Sequence, residues 1–157
     1  MIDELDKKIL ELLQENAKLS AREIARKLKD QEKGKSVSFS TVSRRIRAME
    51  DNGIILGYTT MLDPSAFGFN YPICFFLETD PKIDVEIVAD HLKKIDELIY
   101  IHQVAGDFQI AAMARCKSAE DAAELSKVIS RIEGIQKLVS HSVLCTFKEG
   151  IKVNLKE

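Results

Sequence analysis

The sequence predicts an α+β protein: an N-terminal helical unit, a hinge strand, and a C-terminal α/β sandwich. Three observations predict it. Apolar residues recur at helical spacing three times before Gly53, and afterwards strand-like runs alternate with two further helical ones. Charge changes sign along the chain: residues 1–60 hold 12 Lys+Arg and 10 Asp+Glu, or +2, whereas residues 61–157 hold 11 and 15, or −4. Glycine and proline cluster at the same border, in Asp63-Pro64-Ser65-Ala66-Phe67-Gly68. The expected boundaries are therefore 1–53, 54–64 and 65–157.

Leu5, Ile9, Leu12 and Leu13 share one helical face, so a first helix is expected from Asp3 to Glu15. Asn16-Ala17-Lys18-Leu19 breaks it. Ser20-Ala21-Arg22-Glu23 has the form of a capping box, in which two side chains satisfy each other's free backbone N–H groups. The helix it begins buries Ile24, Ala25 and Leu28. A third helix, capped by Ser38 or Ser40 and ending near Gly53, buries Val42, Ile46 and Met49. Three short helices of this kind describe a helix-turn-helix unit.

The third helix carries the chemistry. Ser40, Ser43, Arg44 and Arg47 fall opposite its apolar side, with Ser38, Thr41 and Arg45 beside them. Hydroxyls suit phosphates and base edges, and a guanidinium suits bidentate contact with phosphate or guanine. From Lys33 to Met49 there are five basic residues and no acidic one. Such a local reversal of sign marks a surface that faces double-stranded DNA. Between Leu28 and Ser38 lie nine residues, where a helix-turn-helix usually needs three or four. They read either as a tolerated surface insertion or as a basic finger whose Lys33 and Lys35 touch the DNA backbone.

After Gly53, the run Ile54–Met61 is apolar and β-prone, one strand in search of a partner, which a second copy of the chain would supply. Beyond the hinge, strands are expected at Asn70–Thr79, Tyr100–Val104, Gln109–Cys116 and Leu138–Phe147. Helices at Asp84–Ile95 and from Ser118 to Gly134 separate them. The order βαββαβ is the ferredoxin-like arrangement, one antiparallel sheet with both helices on one face. Its other face is left for self-association.

Composition and motifs exclude other classes. A chain with 45% hydrophobic and 31% charged residues is neither disordered nor a membrane protein, and no apolar run approaches the ~18 residues of a span. Met1-Ile2-Asp3-Glu4-Leu5 lacks the regions of a signal peptide, so a cytoplasmic location is expected. Cys74, Cys116 and Cys145 lie apart in apolar, strand-like runs and read as reduced core or near-core thiols. Together with His91, His102 and His141 they show no metal-ligand spacing, so neither metal nor cofactor is expected. No nucleophile–base set or phosphate-binding glycine loop is present, which leaves an enzyme as a distant reading.

With both halves in view, the chain resembles the Lrp/AsnC (leucine-responsive, feast/famine) transcription regulators. The resemblance rests on Ile2–Leu10, on Ser40–Ile46 and on Asn52-Gly53-Ile54-Ile55-Leu56-Gly57-Tyr58. It rests as well on Leu62-Asp63-Pro64 and Val104-Ala105-Gly106-Asp107-Phe108. It implies a DNA-binding homodimer that assembles into octamers, with a C-terminal domain that binds an amino acid or related metabolite. The turn at Gly106, Asp107 and Phe108, with Gln109 and Ser140, is the implied effector site. Gln109 stands where the family commonly has Asp, and Ser140 where Thr is frequent. A DNA-binding architectural protein without effector is the alternative.

Overall fold

The computed structural model describes residues 2–31 and 37–155. Packing divides the chain into two units: one spans Met1–Met61 and takes in the tail from Gly150, the other is Leu62–Glu149.

The first unit has three helices, α1 (Glu4–Glu15), α2 (Ala21–Gln31) and α3 (Phe39–Asp51). Asp3 caps α1 by accepting from the Asp6 backbone N–H at 2.9 Å, while the Asp6 carboxylate accepts from the Asp3 N–H at 3.1 Å. The expected capping box at α2 is formed: Ser20 N–H donates to Glu23 at 2.8 Å, and Glu23 N–H to the Ser20 hydroxyl at 3.3 Å. One apolar cluster of Ile9, Leu12, Leu13, Ile24, Ala25, Leu28, Val42 and Met49 joins the three helices. Here α2 continues through Gln31, so the link to α3 is shorter than the sequence suggests. Lys33 and Lys35 lie outside the described residues.

A Schellman closure ends α3. Gly53 takes a left-handed φ of 67°, its N–H donates to Glu50 and the Ile54 N–H donates to Met49. The hinge that follows forms no strand in the single chain. Ile55 packs on the first core, Tyr58 donates to Glu50 at 2.8 Å, and Leu56, Met61 and Leu62 stand in solvent. The tail returns to this unit, where the Gln14 amide donates to the Val153 carbonyl and accepts from its N–H.

The second unit is built from β1 (Tyr71–Thr79), α4 (Val85–Leu92), β2 (Leu98–Gln103), β3 (Ile110–Cys116), α5 (Ala119–Ser130) and β4 (Ile135–Ser142). Strand order is β2-β3-β1-β4, antiparallel throughout, which is the expected arrangement. Alternate residues Ile73, Phe75 and Leu77 of β1 and Ile110, Ala112 and Ala114 of β3 pack against Val88 and Leu92 of α4 and Ala122, Leu125 and Ile129 of α5. The opposite face carries Cys74, Phe76, Met113, Tyr100, His102, Val139 and His141, covered by no described residue of this unit's helices.

Several element bounds shift from those expected, most of all at the last strand. The last strand starts three residues earlier than expected, at Ile135, and stops at Ser142 instead of Phe147. The reason is its single neighbour: β1 begins at Tyr71, and the pairing ends at Ile73 with Ser142. Cys145 is consequently exposed, whereas Cys116 is buried and Cys74 half-buried as core or near-core thiols.

Candidate nucleic-acid interface and effector turn

Ser38 caps α3, its hydroxyl accepting from the Thr41 N–H at 3.1 Å and lying 2.8 Å from the hydroxyls of both Ser40 and Thr41. The three hydroxyls thus form one exposed cluster at the start of the helix. Ser40, Ser43, Arg44 and Arg47 are exposed, as the 100° advance predicts. Neither Arg44 nor Arg47 pairs with any described residue, so both guanidinium groups are available to an anion.

Arg45 is placed differently from the outward set in which the sequence put it. Its Nη1 lies 2.8 Å from Asp3 Oδ2 and 3.2 Å from Asp6 Oδ2, on the flank of α3 that faces α1. Asp6 is buried, and a buried carboxylate needs a counter-charge. Arg45 supplies it. The N–H of Asp6, then Arg45, hold the Asp3 carboxyl below its usual range.

Sequence reasoning passed over Phe39 and Arg22. Phe39, the first residue of α3, is half exposed, and the exposed Arg22 guanidinium lies 5.1 Å from its ring centre. Their contact joins two helices, which a scan of one helix at a time does not register.

In the second unit, Ala105–Phe108 links β2 and β3 at one end of the sheet. Because β2 is an edge strand, the turn joins an edge to a central strand. Gly106 has φ 136° with open space where a Cβ would project, and Asp107 is exposed. No backbone N–H from 105 to 108 is hydrogen-bonded to a described residue. Phe108 packs against Phe76, ring centres 5.8 Å apart, with the Lys137 ammonium 5.8 Å from its own centre.

Gln109 and Ser140 do not join this turn. Gln109 Oε1 accepts from the Thr79 N–H at 3.0 Å, replacing a ladder bond where β1 outruns β3. That bond fixes the side chain on the β1 backbone and occupies one of the two acceptor sites of its oxygen. Ser140 pairs with Phe75 and so shares the helix-covered side of the sheet, whereas Phe108 packs against Phe76 on the other side.

A three-helix unit with an exposed cationic third helix, on one chain with an α/β sandwich bearing an open turn, defines a DNA-binding regulator with a separate sensor domain. Comparison with known proteins agrees. The AsnC-type helix-turn-helix domain family matches residues 2–50, and the Lrp/AsnC ligand binding domain family matches residues 73–153. The transcriptional regulator LrpA of Pyrococcus horikoshii is 34% identical over 145 residues, 92% of this chain and 97% of that protein. The transcriptional regulator Ptr1 of Methanocaldococcus jannaschii is 31% identical over 154 residues, covering 98% and 99%. The same fold appears in a Neisseria meningitidis transcriptional regulator solved as its L-Met complex, with TM-score 0.89 and 23% identity over 99% of this chain and 97% of that one. The chain belongs to the Lrp/AsnC family of helix-turn-helix transcription regulators, whose members act by binding DNA and not as enzymes.

Proposed function

We propose that α3 enters the major groove of a specific operator, with Ser38, Ser40, Thr41, Ser43, Arg44 and Arg47 contacting bases and phosphates. Lys33 and Lys35 add backbone contacts, and Arg45 supports the interface by holding α3 to α1. The carrying observation is that Arg44 and Arg47 project unpaired from the exposed side of a helix whose other side is core. The protein acts as a homodimer that assembles further into octamers, and the dimer reads half-sites about one or more helical turns apart, roughly 34 Å each.

An amino acid or a close relative tunes it at the turn Gly106–Phe108. The free N–H groups there suit a carboxylate, and Asp107 suits an ammonium group. The N. meningitidis regulator, solved with L-Met, supports this ligand class.

The test is DNA affinity against salt. Neutralising roughly 6–10 phosphates gives a slope of log K on log[salt] of about −5 to −9. A flat response would remove the DNA role. Calorimetry with the twenty amino acids on wild type and Asp107→Ala tests the effector turn, and binding unchanged by the substitution would remove it.

A further inference from the structure

We propose that Phe39 is a specificity-determining residue that reads the 5-methyl group of a thymine, and that Arg22 holds its ring in the reading position. The inference rests on the operator-reading role proposed for α3. Phe39, Ser43 and Arg47 stand four residues apart and so form one stripe along α3. Phe39 is at the end of that stripe from which a recognition helix reaches base edges. The ring is half exposed. The part of the ring that Arg22 does not cover is open on a surface of hydroxyls and cations, where an apolar partner gains by burying it. The thymine methyl is the one apolar group displayed in the major groove, and phenylalanine is among the side chains that meet it.

Charge selects DNA over a second protein as occupant. Arg22 lies at the ring, and Arg44 and Arg47 are exposed farther along α3. A second copy of the same surface would be repelled, whereas a polyanion is attracted. Arg22 has a double role in this geometry. Its guanidinium, 5.1 Å from the ring centre, restricts the ring, and its N–H groups bond to no described residue, which leaves them for the phosphate beside the contacted base.

The experiment begins with selection of preferred duplexes from a random oligonucleotide pool by the full chain. Each thymine of the selected half-site is then replaced by uracil, which removes only the methyl group. The expected result is one position where wild type loses affinity about three- to tenfold, in line with the loss of a buried methyl group. Phe39→Ala should bind thymine and uracil there equally, while Phe39→Leu retains part of the discrimination. Arg22→Ala should lower the salt slope of the dimer by about two, roughly 0.9 for the phosphate lost by each subunit. Affinity for unselected DNA, unchanged in Phe39→Ala, verifies that the variant is folded. Methyl dependence that persists in Phe39→Ala, or is absent from every position in wild type, overturns the inference while leaving the operator-reading role intact. Failure of wild type to select any sequence overturns both.

Discussion

Arg45 and its two acids show how far one residue's role depends on a helix elsewhere in the chain. The 100° advance along α3 separated Val42, Ile46 and Met49 from Ser43, Arg44 and Arg47, and the structure keeps that separation. It could not assign Arg45, because Asp3 and Asp6 approach from α1, more than thirty positions away in sequence. Arg45→Ala should lower stability by about 1–2 kcal/mol, because Asp6 stays buried without its cation while the half-exposed guanidinium site limits the loss. Urea unfolding measures this, and the salt slope of DNA binding should change less than in Arg44→Ala. A pH dependence follows from Asp3, whose pKa is depressed first by the Asp6 N–H and then by Arg45. A depressed carboxylate contributes stability above its unfolded pKa, about 4, and loses it as pH falls through the folded value. Asp3→Asn keeps a good cap but removes the charge. Its urea midpoint should lie below that of wild type at neutral pH, and the two should converge as pH falls below about 4.

Elements were legible where their signals are local. The capping box at Ser20 and Glu23, the cap at Ser118 and the closure at Gly53 lie within a few residues of what they end, and each is formed. The limits of β4 were not legible, because they depend on how far β1 extends beside it. The role of Gln109 escaped for the same reason: its acceptor is claimed by Thr79, thirty positions earlier. Two glycines separate strain from space. Gly134 has φ 92°, and an added Cβ would meet Val88 Cγ2 at 2.8 Å and Ile83 Cγ2 at 3.2 Å. Val88 is fully buried and β-branched, so it cannot rotate away. Gly134→Ala should therefore combine left-handed strain with overpacking, about 2–4 kcal/mol in all. Gly106, at φ 136°, meets nothing within 4 Å. Gly106→Ala should cost only the strain, about 1–3 kcal/mol. Parallel urea melts of the two variants test the ordering, and a larger loss for Gly106→Ala would contradict it.

At the scale of the whole molecule, two surfaces are unfinished in one chain. The hinge exposes Leu56, Tyr58, Met61 and Leu62 and finds no strand partner among the described residues. The sheet leaves one side open, with Phe76 near its middle, Phe108 5.8 Å and His141 5.7 Å away between ring centres. The order βαββαβ made the open side legible in the sequence, since a sheet with both helices on one face must leave the other bare. Self-association is the expected cover for that side, and it belongs to a pair of molecules that one chain does not display. The proposed two-fold dimer would place the same aromatic patch against itself and would give each hinge strand a counterpart. Phe76→Asp puts a charge at the centre of that contact, where burial without a partner is prohibitive. Sedimentation equilibrium should show wild type as a dimer or larger at micromolar concentration, and Phe76→Asp should raise the dissociation constant at least about a hundredfold, some 2.7 kcal/mol. Leu56→Asp tests the hinge in the same way, and far-ultraviolet circular dichroism separates dissociation from unfolding. A folded Phe76→Asp variant that sediments as wild type does would show that the open side of the sheet is not the dimer contact. If Leu56→Asp alone dissociates, the hinge carries the association by itself.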